Sequence, residues 1–435
     1  MQVQIESTSN LGRKLILEIS AEQFAQKYKN KLNELQKTAK FAGFRPGKAP
    51  VNMVETRYGD AIKNELLDAL IPEHLYKAFE DNNLKVAGTP SVNIKNFTPD
   101  QPITIESTFE VYPEIELKTL ANQQITQYVG QIADSDLENA IEVIKKQNAE
   151  YKDVDRSAQL TDKIIINANG FIDNKPFAGG KLENATIILG SKTTISGFEE
   201  GLLGLKLHEE KDLAVTFPED YHVKNLAGKS AIFKIKVNAI KEMYLPELND
   251  EFITKLPIKS KNLQEFHNEL KTNLGHELEQ TIKMKNKKMI CDKFLELNNI
   301  DAPQNLVEKE ADHMRTQEQK RLSEYMHEKK VPQLDKKFFI KPAAQKVKLG
   351  LLFGKAITDF AIKVDQLQVN NYIDNLVVTS ANPQEDKEHC YRDKKYLEHI
   401  ELIVMEDQII TEIIKGAIIS EKIINLAEAL KLNNE

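Results

Sequence analysis

The sequence predicts a multidomain α+β chain, with an N-terminal α+β domain, a β-rich middle domain and an elongated all-α C-terminal domain. Three observations predict it. At 435 residues the chain is too long for one core. Helical and two-residue hydrophobic periods alternate in the first 112 residues, whereas residues 151–243 carry short apolar runs between Gly-rich turns. From Pro246 onward, apolar residues recur at three- and four-residue steps almost without interruption.

Within the first domain, residues 14–19 read as a strand with Leu15, Leu17 and Ile19 on one face. Ser20 followed by Gln23 predicts a capping box. The helix it opens carries Phe24, Tyr28, Leu32, Leu35 and Ala39 as one stripe. Two glycines and two prolines in Phe41-Ala-Gly-Phe-Arg-Pro-Gly-Lys-Ala-Pro50 end that helix in a loop. Helical spacing resumes after Pro50 and runs to about Asn82, with a break expected at Gly59. Strict alternation over 103–111 places Ile103, Ile105, Phe109 and Val111 inward on a half-buried strand.

Residues 113–150 read as a connector packing with the C-terminal domain: an extended piece, then a short helix capped by Ser135 with Glu138. The middle domain, 151–243, shows β-like runs at 164–166, 186–189, 213–217 and 231–237, and a short helix at 198–205. The C-terminal domain, 244–435, opens with a long helix carrying Leu263, Phe266, Leu270, Leu274, Leu278 and Ile282. Pro303, Pro332 and Pro342 punctuate the helical pattern beyond it, and two more long helices fit 343–363 and 394–430. Heptads are not sustained, which argues against a coiled-coil rod.

The net charge of −7 excludes general nucleic-acid binding through a widespread basic surface. It conceals a local reversal. Residues 23–48 hold seven basic side chains (Lys27, Lys29, Lys31, Lys37, Lys40, Arg45, Lys48) against Glu34, a balance of +6 that leaves −13 for the remainder. A basic island on an acidic chain points to one docking surface for a polyanion. Cys291 and Cys390 fit no metal or redox spacing and read as free thiols of a reducing compartment. The opening residues have neither the basic nor the apolar region of a signal peptide, and no apolar run reaches a membrane span. A cytoplasmic chain is expected.

Enzyme signatures are sparse. Gly228-Lys229-Ser230 resembles the end of a phosphate-binding loop, but Val223 stands where the motif needs its first glycine, so the segment reads as a turn. The histidines never pair at ligand spacing, and no metal or nucleotide is expected. The loop 43–50 is unusual because it presents an aromatic and an arginine between glycines. Two readings stay open from the residues alone: Phe44 enters a partner's apolar niche while Arg45 and Lys48 meet anions, or Phe44 folds back into its own core.

This loop resembles the Gly-Phe-Arg-x-Gly-x-x-Pro docking signature of the bacterial trigger factor family at Gly43, Phe44, Arg45, Gly47 and Pro50, with Lys48 as a further cation. The resemblance extends through Met1-Gln2-Val3, Arg57-Tyr58-Gly59, 109–114, 216–222, 245–248 and Gly350-Leu351-Leu352. It implies an ATP-independent chaperone that docks on the large ribosomal subunit near the exit tunnel, holds nascent and unfolded polypeptides, and forms a homodimer off the ribosome. Apolar faces of the C-terminal helices would then serve clients as well as core. Position 46, often lysine in the family, is proline here.

The middle domain is similar to the FKBP-type prolyl isomerase of that family. The resemblance implies a pocket floored by Phe198, with Ile195 beside it and Phe177, Tyr221 and Phe233 as walls. Such a pocket needs no acid, base or cofactor, because a dry aromatic enclosure favours the twisted X–Pro amide. Four pocket positions depart from the family: Asn167 and Ala178 stand in place of acids, Ala168 and Ala185 in place of aromatics. A weakened isomerase on an intact fold is the expectation.

Overall fold

The computed structural model describes the chain except residues 1, 2, 40, 42, 43, 46, 47, 98–100, 220, 222, 224, 327–332, 379, 381, 434 and 435. The elements in order are β1 (Val3–Ser7), β2 (Gly12–Ile19), α1 (Ala21–Thr38), α2 (Val51–Asp81), β3 (Val86–Asn96), β4 (Ile103–Val111), β5 (Gln124–Gly130) and α3 (Asp134–Gln147). The middle domain continues with β6 (Glu150–Asp153), β7 (Lys163–Ile172), β8 (Lys175–Ile188), α4 (Phe198–Leu202), β9 (Glu210–Thr216) and β10 (Ser230–Tyr244). The remainder comprises α5 (Asp250–Lys255), α6 (Leu263–Leu297), α7 (Gln304–Met326), α8 (Lys337–Asp359), α9 (Gln366–Val377), α10 (Pro383–Arg392), α11 (Lys394–Ile413), β11 (Ile418–Ile424) and α12 (Leu426–Asn433). The fold class is multidomain α+β with a helical C-terminal region.

The chain divides into two compact units. One comprises residues 1–127 with 286–420, the other 128–285 with 421–435. In the first, an antiparallel sheet of order β1-β2-β4-β3 opposes Leu17 to Ile105 and Ile19 to Ile103. Its inner face buries Leu15, Leu17, Ile19, Ile105 and Phe109 against Leu67, Leu70 and Phe79 of α2. A separate cluster under the 41–50 loop joins Leu32, Phe41, Ala49, Val54 and Ile62.

Further along this unit, Leu120 and Ile125 pack with Phe294 of α6, Leu352 and Phe353 of α8, and Ile409, Ile410 and Ile413 of α11. Helices α9, α10 and α11 share Val369, Ile373, Cys390, Ile400 and Val404. Both cysteines are free and buried. Burial pushes the Cys291 thiol up to about 11, so it stays protonated and unreactive.

The second unit holds the five-stranded sheet, ordered β6-β10-β7-β8 with β9 paired to β10. Ile164, Ile166, Ile235, Val237 and Ile240 fill its core with Leu202 and Leu205. Among the described residues, no helix is long and apolar enough to cross a membrane.

Several local expectations are corrected. Gly59 does not break α2. It is buried within the helix, where a Cβ would lie 2.9 Å from the Tyr28 hydroxyl, so it permits the close approach of α1. Ser20 is the N-cap of α1, but its side chain makes no capping bond. Helix α3 starts earlier than expected, after Ala133, whose N–H donates to Asp136 rather than to a Ser135 box. Pro342 lies inside α8. The long helix expected over 394–430 stops at Ile413. Gly416 then adopts φ +79°, and β11 runs beside β5. Isoleucine-rich sequence suits either period, and only the partner strand decided between them.

Candidate functional site

The middle domain encloses an apolar pocket of about 750 Å³, within the range for ligand sites. β8 lines it with Phe177, Leu182 and Ile187 and β10 with Phe233, while residues 193–196, Phe198 of α4, and Phe217, Pro218, Tyr221, Val223 and Leu226 complete the wall. Rings meet edge to face across it: Phe177 and Phe233 at 5.9 Å, Phe198 and Phe233 at 5.3 Å, Phe177 and Phe217 at 5.9 Å. Phe217 continues to Tyr221 at 4.8 Å. Gly170 makes this clustering possible, since a Cβ there would come 2.7 Å from both Phe177 and Phe233.

Of the residues singled out from sequence, Phe177, Ile195, Phe198, Tyr221 and Phe233 line the pocket, as do Ala178 and Ala185. Ala168 does not. It is 1% exposed within the domain's core cluster. Asn167 alternates to the other face of β7, where its side-chain oxygen accepts from the Asn184 N–H at 2.7 Å. Sequence reasoning missed Phe217, Leu182, Val223 and Leu226 as lining residues. Phe217 stood within the run 216–222, but nothing in its spacing distinguished a wall from a core ring. Phe171 lies elsewhere, with the Lys234 ammonium 5.8 Å from its centroid.

One carboxylate shapes the rim. Glu199, 6% exposed, accepts from the backbone N–H of Gly190, Lys192, Thr193 and Thr194 at 2.8–3.3 Å, and from the Ser191 and Thr194 hydroxyls at 3.2 Å. Burial alone would raise its pKa. The backbone donors outweigh burial and hold it below the ordinary carboxylate value. The loop so gathered supplies Thr193, Thr194, Ile195 and Ser196 to the pocket.

The other candidate site is the 41–50 loop of the first unit. Its two ends are anchored: Phe41 and Ala49 are buried, Gln36 donates to the Ala49 carbonyl at 2.7 Å, and Pro50 caps α2. Between them, the Phe44 N–H donates to the Phe41 carbonyl at 3.2 Å and the Lys48 N–H to the Arg45 carbonyl at 3.0 Å. Phe44 is 40% exposed, so it does not fold into the core, and Arg45 and Lys48 are exposed beside it. Gly43, Gly47 and Pro46 lie outside the described residues. Lower on α1, Lys27 pairs with Glu73 at 3.3 Å and Lys31 with Glu65 at 2.6 Å. Acids of α2 thus neutralise the base of the basic island and leave its tip charged.

Comparison with known proteins covers nearly the whole chain. Residues 1–144 match the family model described as bacterial trigger factor protein, and residues 262–415 match that of its C-terminus. Residues 154–238 match the FKBP-type peptidyl-prolyl cis-trans isomerase. Trigger factor of Pseudomonas syringae pv. syringae is 34% identical over 431 residues, 99% of this chain and 98% of the relative. Those of Azotobacter vinelandii and Coxiella burnetii are each 35% identical, over 431 and 430 residues, covering 98% and 97% of the relatives.

Proposed function

The chain belongs to the trigger factor family, and on that premise we propose that it is an ATP-independent, ribosome-associated chaperone of the cytoplasm. In this reading residues 1–112 dock on the large ribosomal subunit near the exit tunnel, and residues 113–150 connect. Residues 244–435 hold nascent or unfolded clients and assist folding and export, and the chain pairs as a homodimer off the ribosome. Exposed Leu367 and Leu376 of α9 and Leu402 of α11 offer clients apolar contacts that need no nucleotide to release. The observation that carries the docking role is the exposed Phe44 tip, flanked by cations, on a loop whose ends are buried. Replacing Phe44 and Arg45 together by alanine is expected to weaken ribosome cosedimentation at least tenfold. Folding stability should change by no more than about 0.5 kcal/mol, because both side chains are exposed. Wild-type cosedimentation by the double variant would remove the loop from the interface.

The FKBP-type peptidyl-prolyl isomerase match covers residues 154–238, and in this reading the domain 151–243 is the isomerase module. We further propose that its catalysis is weak. Phe177, Phe198, Phe217 and Phe233 retain an apolar enclosure, but Ala178 and Ala185 leave part of the lining without the ring and the acid that the family supplies. Introducing Ala185→Phe with Ala178→Asp is expected to raise kcat/KM on a short proline peptide about tenfold, which is about 1.4 kcal/mol of barrier. Ala168→Phe should instead destabilise the domain by about 1–3 kcal/mol, since it overfills a packed core. A wild-type rate equal to that of the Pseudomonas relative would contradict the weakness.

A further inference from the structure

Arg57, on the second turn of α2, stands over the base of the docking loop. Its guanidinium carbon lies 5.6 Å from the ring centroids of both Phe41 and Tyr58, which themselves meet edge to face at 6.0 Å. Phe41 is the buried anchor of the loop, and the Phe44 N–H bonds to its carbonyl. The side chain is exposed, and no carboxylate among the described residues pairs with it. Glu55, its neighbour on the helix, is bonded by the Tyr28 hydroxyl at 3.3 Å. This contrasts with Lys27 and Lys31, which acids of α2 neutralise. A guanidinium resting on rings is held in place while its outward N–H groups stay free, a geometry suited to a bidentate oxyanion.

The stretch 35–54 contains no acidic residue, so the cations beside Phe44, Arg45 and Lys48, stand without an acid in their own segment. Arg57, which follows Glu55 on α2, adds a cation at the ring anchor of the loop. Cations so grouped favour a phosphate backbone over a protein surface of mixed charge. Resting on the docking reading above, we propose that Arg57 binds a backbone phosphate of ribosomal RNA and supplies a cation to an interface in which position 46 is proline. The test is cosedimentation of the full chain with purified ribosomes between about 50 and 200 mM salt. Arg57→Gln keeps a planar group over the rings without charge. It is expected to weaken binding about fivefold at the low end and to reduce the slope of log affinity against log salt by about 0.7–0.9. Arg57→Lys is expected to retain the slope, which a purely structural role for Arg57 would not predict. Unchanged affinity and slope in Arg57→Gln, with Phe44→Ala/Arg45→Ala defective, would overturn this assignment and leave the docking reading intact. Weakened binding at an unchanged slope would overturn the phosphate as the partner group. If the Phe44→Ala/Arg45→Ala protein binds normally, the docking reading falls and this inference with it.

Discussion

Replacing Glu199 by leucine is expected to destabilise the middle domain by about 3–5 kcal/mol and to lower prolyl isomerisation more than tenfold. The carboxylate is the shared acceptor for four backbone N–H groups of the 190–194 loop. Leucine is similar in volume but accepts nothing, and each buried donor left without a partner costs about 1–3 kcal/mol. The loop can recover part of that by opening to water, which carries Ile195 away from the pocket. Glu199→Gln should be milder, because one amide oxygen still accepts while the amide nitrogen faces donors. Chemical denaturation of the purified protein, followed together with isomerase rate, checks both. A Glu199→Leu protein within about 0.5 kcal/mol of wild type would show that the loop holds itself.

The same group gives a direction with pH. Its folded pKa lies below that of an unfolded glutamate, so its ionised form favours the fold. That stabilisation is complete above the ordinary glutamate value and is lost as pH falls through the lowered one. Acid should therefore shift the wild-type midpoint more than that of Glu199→Gln over this window.

The second large effect is expected at Asn298, which is 5% exposed near the end of α6. Its amide grips the backbone of Lys118 from both sides. The side-chain nitrogen donates to the Lys118 carbonyl and the side-chain oxygen accepts the Lys118 N–H, both at 2.8 Å. The same nitrogen also donates to the Phe294 carbonyl at 3.0 Å. This clamp orders the extended segment whose Leu120 is fully buried among α6, α8 and α11. Asn298→Ala removes three hydrogen bonds at about 1 kcal/mol each, so a loss of about 3 kcal/mol is expected. Asn298→Asp should be no better, because its second oxygen faces a carbonyl. Hydrogen exchange at the Lys118 amide should rise by at least tenfold in either variant. Protection equal to wild type would mean that Leu120 alone orders the segment.

Much of this was legible in the residues. The alternation of 103–111 and the stripe from Phe24 to Ala39 report contacts that each element makes along its own length. The five pocket residues carried over from the family resemblance all line one cavity. What the residues did not disclose depends on neighbours distant in sequence. Asn298 is an ordinary polar residue until Lys118 lies against it, and Glu199 reads as a surface acid until the loop turns its N–H groups inward.

By itself the sequence determined the order of helical and β-rich parts and the position of the basic loop. Each depends on residue type and local spacing. Only the tertiary structure decided that Phe44 stays outside the core, that acids of α2 neutralise Lys27 and Lys31, and that residues 418–424 form a strand. Those outcomes depend on which surfaces meet. Burial, ion pairing and strand pairing are properties of two segments together, and a one-dimensional period records only one of them.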